Sequence, residues 1–148
     1  LQTLVERKGG DAAACVKLLR DKKLVNHVVV QSFDWEYLRK FHELEPAQVL
    51  GAIGPPKLMA DGNEPSNGNG KLTVAHLDEL VRTGAKVVVW KHKAITPEII
   101  QVLHRRKLKL WVYTVNDPKL ANTLLDWGAD GLITDNTSLI WKTLALRK

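Results

Sequence analysis

The chain has 148 residues, a formal charge of +6, 45% hydrophobic and 26% charged residues. That suffices for one domain with a real core but not for a complete eightfold β/α barrel, which takes at least ~200 residues. No apolar run approaches the ~20 residues of a membrane-spanning helix, and a single cysteine excludes an internal disulfide.

Strand and helix patterns alternate along the whole chain. The first strand is read from Leu4 to Lys8 and leads through Gly9-Gly10 to a helix capped by Asp11. Ala12, Cys15, Val16, Leu18 and Leu19 are apolar there at helical spacing. The second strand, His27 to Phe33, contains Val28-Val29-Val30, which suits a parallel strand buried on both faces. Asp34 caps the next helix, which carries Tyr37, Leu38 and Phe41. A short third strand, Val49 to Ile53, runs into Gly54-Pro55-Pro56. The Gly-, Pro- and Asn-rich segment from Gly54 to Gly70 reads as one long exposed loop, either a substrate lid or a tolerated insertion.

Thr73 caps a helix containing Leu77, Leu80 and Val81, which Gly84 ends. Strand Lys86 to Trp90 precedes Thr96-Pro97-Glu98, a cap, a first-turn proline and an acid that together start a helix. Ile99, Val102 and Leu103 form its inner stripe. Strand Leu108 to Val115 leads to a helix started by Asn116-Asp117-Pro118, carrying Leu120, Leu124 and Leu125 and ended by Gly128. Strand Gly131 to Thr134 and a helix from about Ser138 complete the chain.

Strands joined by helices run parallel with right-handed crossovers. Six consecutive units without a reversal favour a barrel over an open sheet. The expected fold class is α/β, an incomplete TIM-type barrel of six strand–helix units, with residues 1–148 as one domain. Barrel chemistry gathers at the strand carboxyl ends. Four clusters fall there: Val5-Glu6-Arg7-Lys8, Gln31-Ser32-Phe33-Asp34, Tyr113-Thr114-Val115-Asn116, and Asp130 through Asp135.

Glu6 and Lys8, two apart on a strand, project from the same face. A carboxylate there can hold Mg²⁺ or Ca²⁺, which prefer oxygen ligands, and an ammonium beside it can neutralise a phosphate oxygen. On spacing alone the two read as an exposed ion pair. Lys91, His92 and Lys93 are candidate substrate contacts. His27, His42, His76 and His104 have no second ligand at metal spacing and read as surface residues. No Walker loop, CxxC pair, HExxH or Gly-x-Ser-x-Gly is present.

The order and wording of the four clusters resemble the glycerophosphodiester phosphodiesterase family. Glu6-Arg7-Lys8 is similar to the family's Glu-x-Lys, and Ser32-Phe33 to its Ser-Phe strand end. Tyr113-Thr114-Val115-Asn116 is similar to its Trp-Thr-Val-Asn, with Tyr113 in place of Trp. Asp130-Gly131-Leu132-Ile133-Thr134-Asp135 is similar to its closing Asp-Gly-Ile-Ile-Thr-Asp, with Asn136-Thr137 where the family usually has a Pro. The resemblance covers nearly the whole chain, as the last six of eight barrel units. It implies metal-assisted hydrolysis of a small-molecule glycerophosphodiester to glycerol 3-phosphate and an alcohol, with Mg²⁺ or Ca²⁺. By the same resemblance Glu6 is a metal ligand, Lys8 a phosphate contact, and Phe33 and Tyr113 flank the glycerol. Asn116 and Asp135 are expected to organise backbone instead.

The family's His-Arg, Glu-x-Asp and His-Asp elements would precede Leu1. No catalytic acid or base is therefore assigned within the chain, and alone it is expected not to turn over. Two open edge strands would expose backbone donors and acceptors. The expectation is a homo-oligomer, a swapped assembly, or an amino-terminal segment outside this sequence, which begins at Leu1 and not at Met. The rival reading is a non-catalytic partial barrel that binds a partner chain or an anionic ligand.

Lys and Arg are spread over many helices and loops, so the positive charge reads as a solvated surface and no nucleic-acid partner is expected. A basic balance suits a small anionic phosphate ester without demanding one. Cys15 reads as a buried thiol and hints at a reducing compartment, and the expected localisation is cytoplasmic.

Overall fold

The run Val28-Val29-Val30 sets the second strand as a fully buried one. The computed structural model describes residues 2–66 and 70–147. Its elements alternate: β1 (Thr3–Glu6), α1 (Ala12–Asp21), β2 (Val28–Ser32), α2 (Trp35–Leu44), β3 (Val49–Gly54), α3 (Val74–Thr83), β4 (Val87–Lys91), a 3-10 turn (His92–Ala94), α4 (Pro97–Arg105), β5 (Lys109–Tyr113), α5 (Pro118–Trp127), β6 (Gly131–Leu132) and α6 (Thr137–Ala145). The strands follow chain order in one sheet. β1 pairs with β2, β2 with β3, and β5 with β6, each in parallel. This is the architecture of an incomplete TIM-type β/α barrel with six strand–helix units, as the alternation of patterns predicts. The chain divides into two compact units, Leu1–Val88 and Val89–Lys148.

In the first unit all five residues of β2 are buried. Helix α1 turns Ala12, Val16 and Leu19 inward, α2 turns Trp35, Tyr37, Leu38 and Phe41, and α3 turns Leu77, Leu80 and Thr83. Each large apolar side chain so buried stabilises the unit by ~1.5–3 kcal/mol. The caps are where the sequence puts them. Asp11 accepts the N–H of Ala14 and Asp34 that of Tyr37. Thr73 and His76 cap α3 reciprocally. That helix ends on Gly84 at φ 71°, a left-handed position where a Cβ would also strike the His42 ring.

Several expectations are corrected in this unit. Strand β1 stops at Glu6, so Lys8 lies beyond it. Leu18 and Val81 face outward, 55% and 70% exposed. Cys15 is half-buried. It bonds Tyr37, whose phenol is pushed up in pKa first by burial and then by the thiol. The segment after β3 is not wholly exposed: Gly54, Pro56 and Ala60 are buried. Its backbone explains why. Lys57 N donates to Phe33 O at 2.8 Å, Trp35 N to Leu58 O at 3.0 Å, and Arg39 Nε to Ala60 O at 2.9 Å. Pairing with the end of β2 thus continues past β3, with Asp34 and Leu58 bridged in parallel. Residues 67–69 of the predicted loop lie outside the described residues.

In the second unit β5 buries Leu110 and Val112 on one face and half-buries Trp111 and Tyr113 on the other. Gly131 stands in register with Trp111, and any Cβ there would meet its indole. Helix α4 buries Ile100 and Leu103, so Ile100 takes the inward place expected of Ile99. One residue along a helix turns a side chain by about 100°. Thr96, Asp117 and Asn136 cap α4, α5 and α6. His104 is paired: its Nε2 lies 2.9 Å from Asp130 Oδ2, which also accepts Leu110 N at 2.8 Å. Among the described residues no helix is long and apolar enough to cross a membrane.

Candidate active site

The register of the first three strands fixes the site's geometry. Glu6 stands opposite Gln31, and Gln31 opposite Gly51. Partners in register share a face of the sheet, so an acid, an amide and a bare glycine form one row across β1, β2 and β3. Lys8 returns to this row from beyond the strand. Its Nζ sits 2.6 Å from Glu6 Oε1, with the lysine side chain 79% exposed. The structure therefore brings Glu6 and Lys8 together as an ion pair at the carboxyl end of β1.

Arg7, between them in sequence, goes to helix α2. Its Nε donates to Gly10 O at 3.1 Å, its Nη1 to Asp34 Oδ2 at 2.8 Å, and its guanidinium lies 4.5 Å from the centre of the Tyr37 ring. Phe33 is half-buried just past β2, with Lys57 Nζ 5.8 Å from its ring centre. The sequence reading assigned no part to Arg7, Gln31 or Lys57. Arg7 and Gln31 stood inside clusters already singled out, whereas Lys57 stood in the long loop read as a substrate lid or a tolerated insertion.

In the second unit Tyr113 is half-buried at the end of β5, and a cis peptide joins it to Thr114. Asn116 Oδ1 accepts from Thr134 Oγ1 and from Asp135 N, each at 2.9 Å, while its Nδ2 donates to Asp135 Oδ2 at 3.1 Å. Asn116 and Asp135 thus join the ends of two strands, where the sequence reading had Asn116 organise the turn into the next helix and Asp135 bond backbone amides. Lys91 and Lys93 are exposed, and His92 is half-buried in the 3-10 turn.

A divalent cation is implied by the resemblance, and the described residues fit one poorly. No group of three or more His, Cys, Asp or Glu side chains suited to a metal occurs among them. Glu6 is one carboxylate, already paired with Lys8, and Asp34 is held by Arg7 and its cap. Mg²⁺ and Ca²⁺ take six or more oxygen ligands. These residues do not make such a site by themselves.

The profile of the "Glycerophosphoryl diester phosphodiesterase family" matches residues 6–139. The chain belongs to that family. A "Glycerophosphodiester phosphodiesterase" of Bacillus subtilis (strain 168) is 32% identical over 126 residues, covering 85% of this chain and 39% of the relative. Among solved structures, a glycerophosphodiester phosphodiesterase from Parabacteroides distasonis ATCC 8503 matches with a TM-score of 0.77 at 22% identity, over 99% of this chain and 58% of that one. An Oleispira antarctica phosphodiesterase in complex with the product sn-glycerol-3-phosphate matches with a TM-score of 0.70 at 18% identity, over 90% of this chain and 49% of that one. At such identities the two structures speak for the fold alone. The chain spans 39% and 42% of the lengths of two curated relatives it matches. The glycerophosphoryl diester phosphodiesterase match takes in Glu6, Lys8, Phe33 and Tyr113.

Proposed function

We propose that this chain is the carboxyl-terminal part of a glycerophosphodiester phosphodiesterase, which hydrolyses a small-molecule glycerophosphodiester to glycerol 3-phosphate and an alcohol. The observation that carries the reading is the Glu6–Lys8 pair at the carboxyl end of β1, inside the family match. In this reading Lys8 moves its ammonium onto a phosphoryl oxygen and neutralises charge there as the diester is attacked. Its exposure leaves it free to make that exchange. Glu6 would lend one oxygen donor to a bound Mg²⁺ or Ca²⁺, and further donors would be needed to complete its shell. Phe33 gives an apolar wall to the glycerol carbons. Tyr113 is proposed as a second aromatic contact, on the strength of the family's aromatic at that strand end. No residue of this chain is assigned as general acid or base.

The test is release of glycerol 3-phosphate by the full-length protein from glycerophosphocholine, glycerophosphoethanolamine and glycerophosphoglycerol. Glu6→Gln is expected to lower kcat at least ~100-fold with an unchanged circular dichroism spectrum. Undiminished activity would remove Glu6 from the site. No release from any of the three by the wild type would overturn the phosphodiesterase reading.

A further inference from the structure

Lys57 follows β3, and its backbone is tied to the end of β2. Its N–H donates to Phe33 O at 2.8 Å, and the next residue, Leu58, bridges Asp34 in parallel. The ladder therefore runs on past the last residue of β2, and the alternation of its side chains runs on with it. Asp34 goes to the face where Arg7 meets it. Phe33, one residue back, is left on the face of Gln31 and Glu6. The Lys57 ammonium lies over that ring, 5.8 Å from its centre.

The charges beside it are balanced in pairs. Glu6 holds Lys8, Asp34 holds Arg7, and Glu36 holds Lys40. Lys57 is exposed, and no carboxylate of the described residues lies within ion-pair distance of it. Two consequences bear on the alcohol half of a substrate. An aromatic face is a natural seat for an alkylammonium, and the Phe33 ring already carries the protein's own. The Lys57 charge, uncancelled, also reaches across a small diester, because the Debye length is ~8 Å at physiological ionic strength. We infer that Lys57 determines specificity for the alcohol, setting the site against cationic groups such as choline and ethanolamine and in favour of neutral or anionic ones. This rests on the reading of Glu6 and Phe33 as part of the phosphodiesterase site.

The experiment compares kcat/KM of the full-length protein for glycerophosphoglycerol and glycerophosphocholine, at low salt and at ~0.5 M salt. The wild type is expected to favour glycerophosphoglycerol by about 5-fold at low salt, the scale of one unit charge at a partly solvated site, and by less at high salt. Lys57→Gln is expected to abolish the salt-sensitive part of that preference, Lys57→Glu to reverse it, and Lys57→Arg to keep it. The side chain is exposed and any residue but proline keeps the N–H to Phe33 O, so all three should melt with the wild type. Equal loss on both substrates, with their ratio unchanged in Lys57→Glu, would give Lys57 a structural part and overturn the inference. So would a wild type that favours glycerophosphocholine. Calorimetry of the same two diesters in a Glu6→Gln background, where turnover is expected to be slow, reads the preference as binding. Turnover by the wild type without the preference sinks the Lys57 inference alone. A Lys57-dependent preference in binding, with no turnover by the wild type, sinks the phosphodiesterase reading alone.

Discussion

Arg7 donates from Nη1 to Oδ2 of Asp34 at 2.8 Å, and the other oxygen of that carboxylate caps helix α2 by accepting Tyr37 N at 2.9 Å. One side chain thus ties the end of β1 to the start of a helix. Asp34→Asn keeps a capping oxygen and removes the charge, whereas Asp34→Ala removes both and strands a guanidinium that is only 27% exposed. The expected loss is ~1–3 kcal/mol for Asp34→Ala and clearly less for Asp34→Asn, read from urea unfolding. Equal losses would show that the ion pair, and not the cap, holds the junction.

Lys8 is exposed enough that its removal leaves the fold alone. Lys8→Ala is expected to keep the melting temperature and to lower kcat/KM for glycerophosphocholine by at least ~10-fold, the scale of one charge-assisted hydrogen bond to the phosphate. Steady-state kinetics on the full-length protein measure it. An unchanged kcat/KM would take Lys8 off the substrate.

Half-burial lowers the pKa of His76 below its ordinary 6.5, and its Nδ1 accepts Thr73 N at 3.1 Å. As pH falls through about 6.5 the unfolded chain takes up a proton that the folded protein still refuses. The unfolded state then binds more protons, so stability falls with pH until the lower folded-state pKa is passed, and levels there. Melts between pH 7.5 and pH 5 should show that fall. His76→Gln keeps a capping acceptor without the titration and should flatten it. The same slope in both proteins would place the titrating group elsewhere.

Gly84 carries two constraints at once, a φ of 71° and the His42 ring where a Cβ would go. Gly84→Ala is expected to cost more than ~2 kcal/mol, from strain and steric clash together. Adding His42→Ala removes the clash and should recover part of the loss, leaving ~1 kcal/mol of backbone strain. Urea midpoints of the single and double variants check this, and a double variant no better than Gly84→Ala would assign the whole cost to the backbone.

Helix starts were legible because capping is local. Asp11, Asp34, Thr73 and Thr96 each precede an apolar periodicity, and each caps its helix. Strand ends were not, because partners elsewhere in the chain decide them. Lys8, Phe33 and Val115 all read as strand, and all lie beyond the last residue of β1, β2 and β5. The site divides the same way. Glu6 and Lys8 meet as their nearness in sequence suggests, although Lys8 lies beyond the strand. Arg7 and Asp34 are 27 residues apart, and nothing near either announces the other. The row through Gln31 exists only once three strands are in register, a relation that no single strand's sequence contains. The packing of Pro56 and Ala60 was hidden because backbone hydrogen bonds carry it, and composition is blind to those.

The Asn116 side chain joins two stretches of sequence that read as separate signatures, one around Tyr113 and one around Asp135. Thermodynamically they are one object. Once Asn116 is replaced, Thr134 has no acceptor there, so replacing Thr134 next costs less than it would alone. The two substitutions are therefore expected to be sub-additive by ~0.5–3 kcal/mol, as contacting members of one network are. Redesign of either strand end has to treat residues 18 apart in the chain as a single variable.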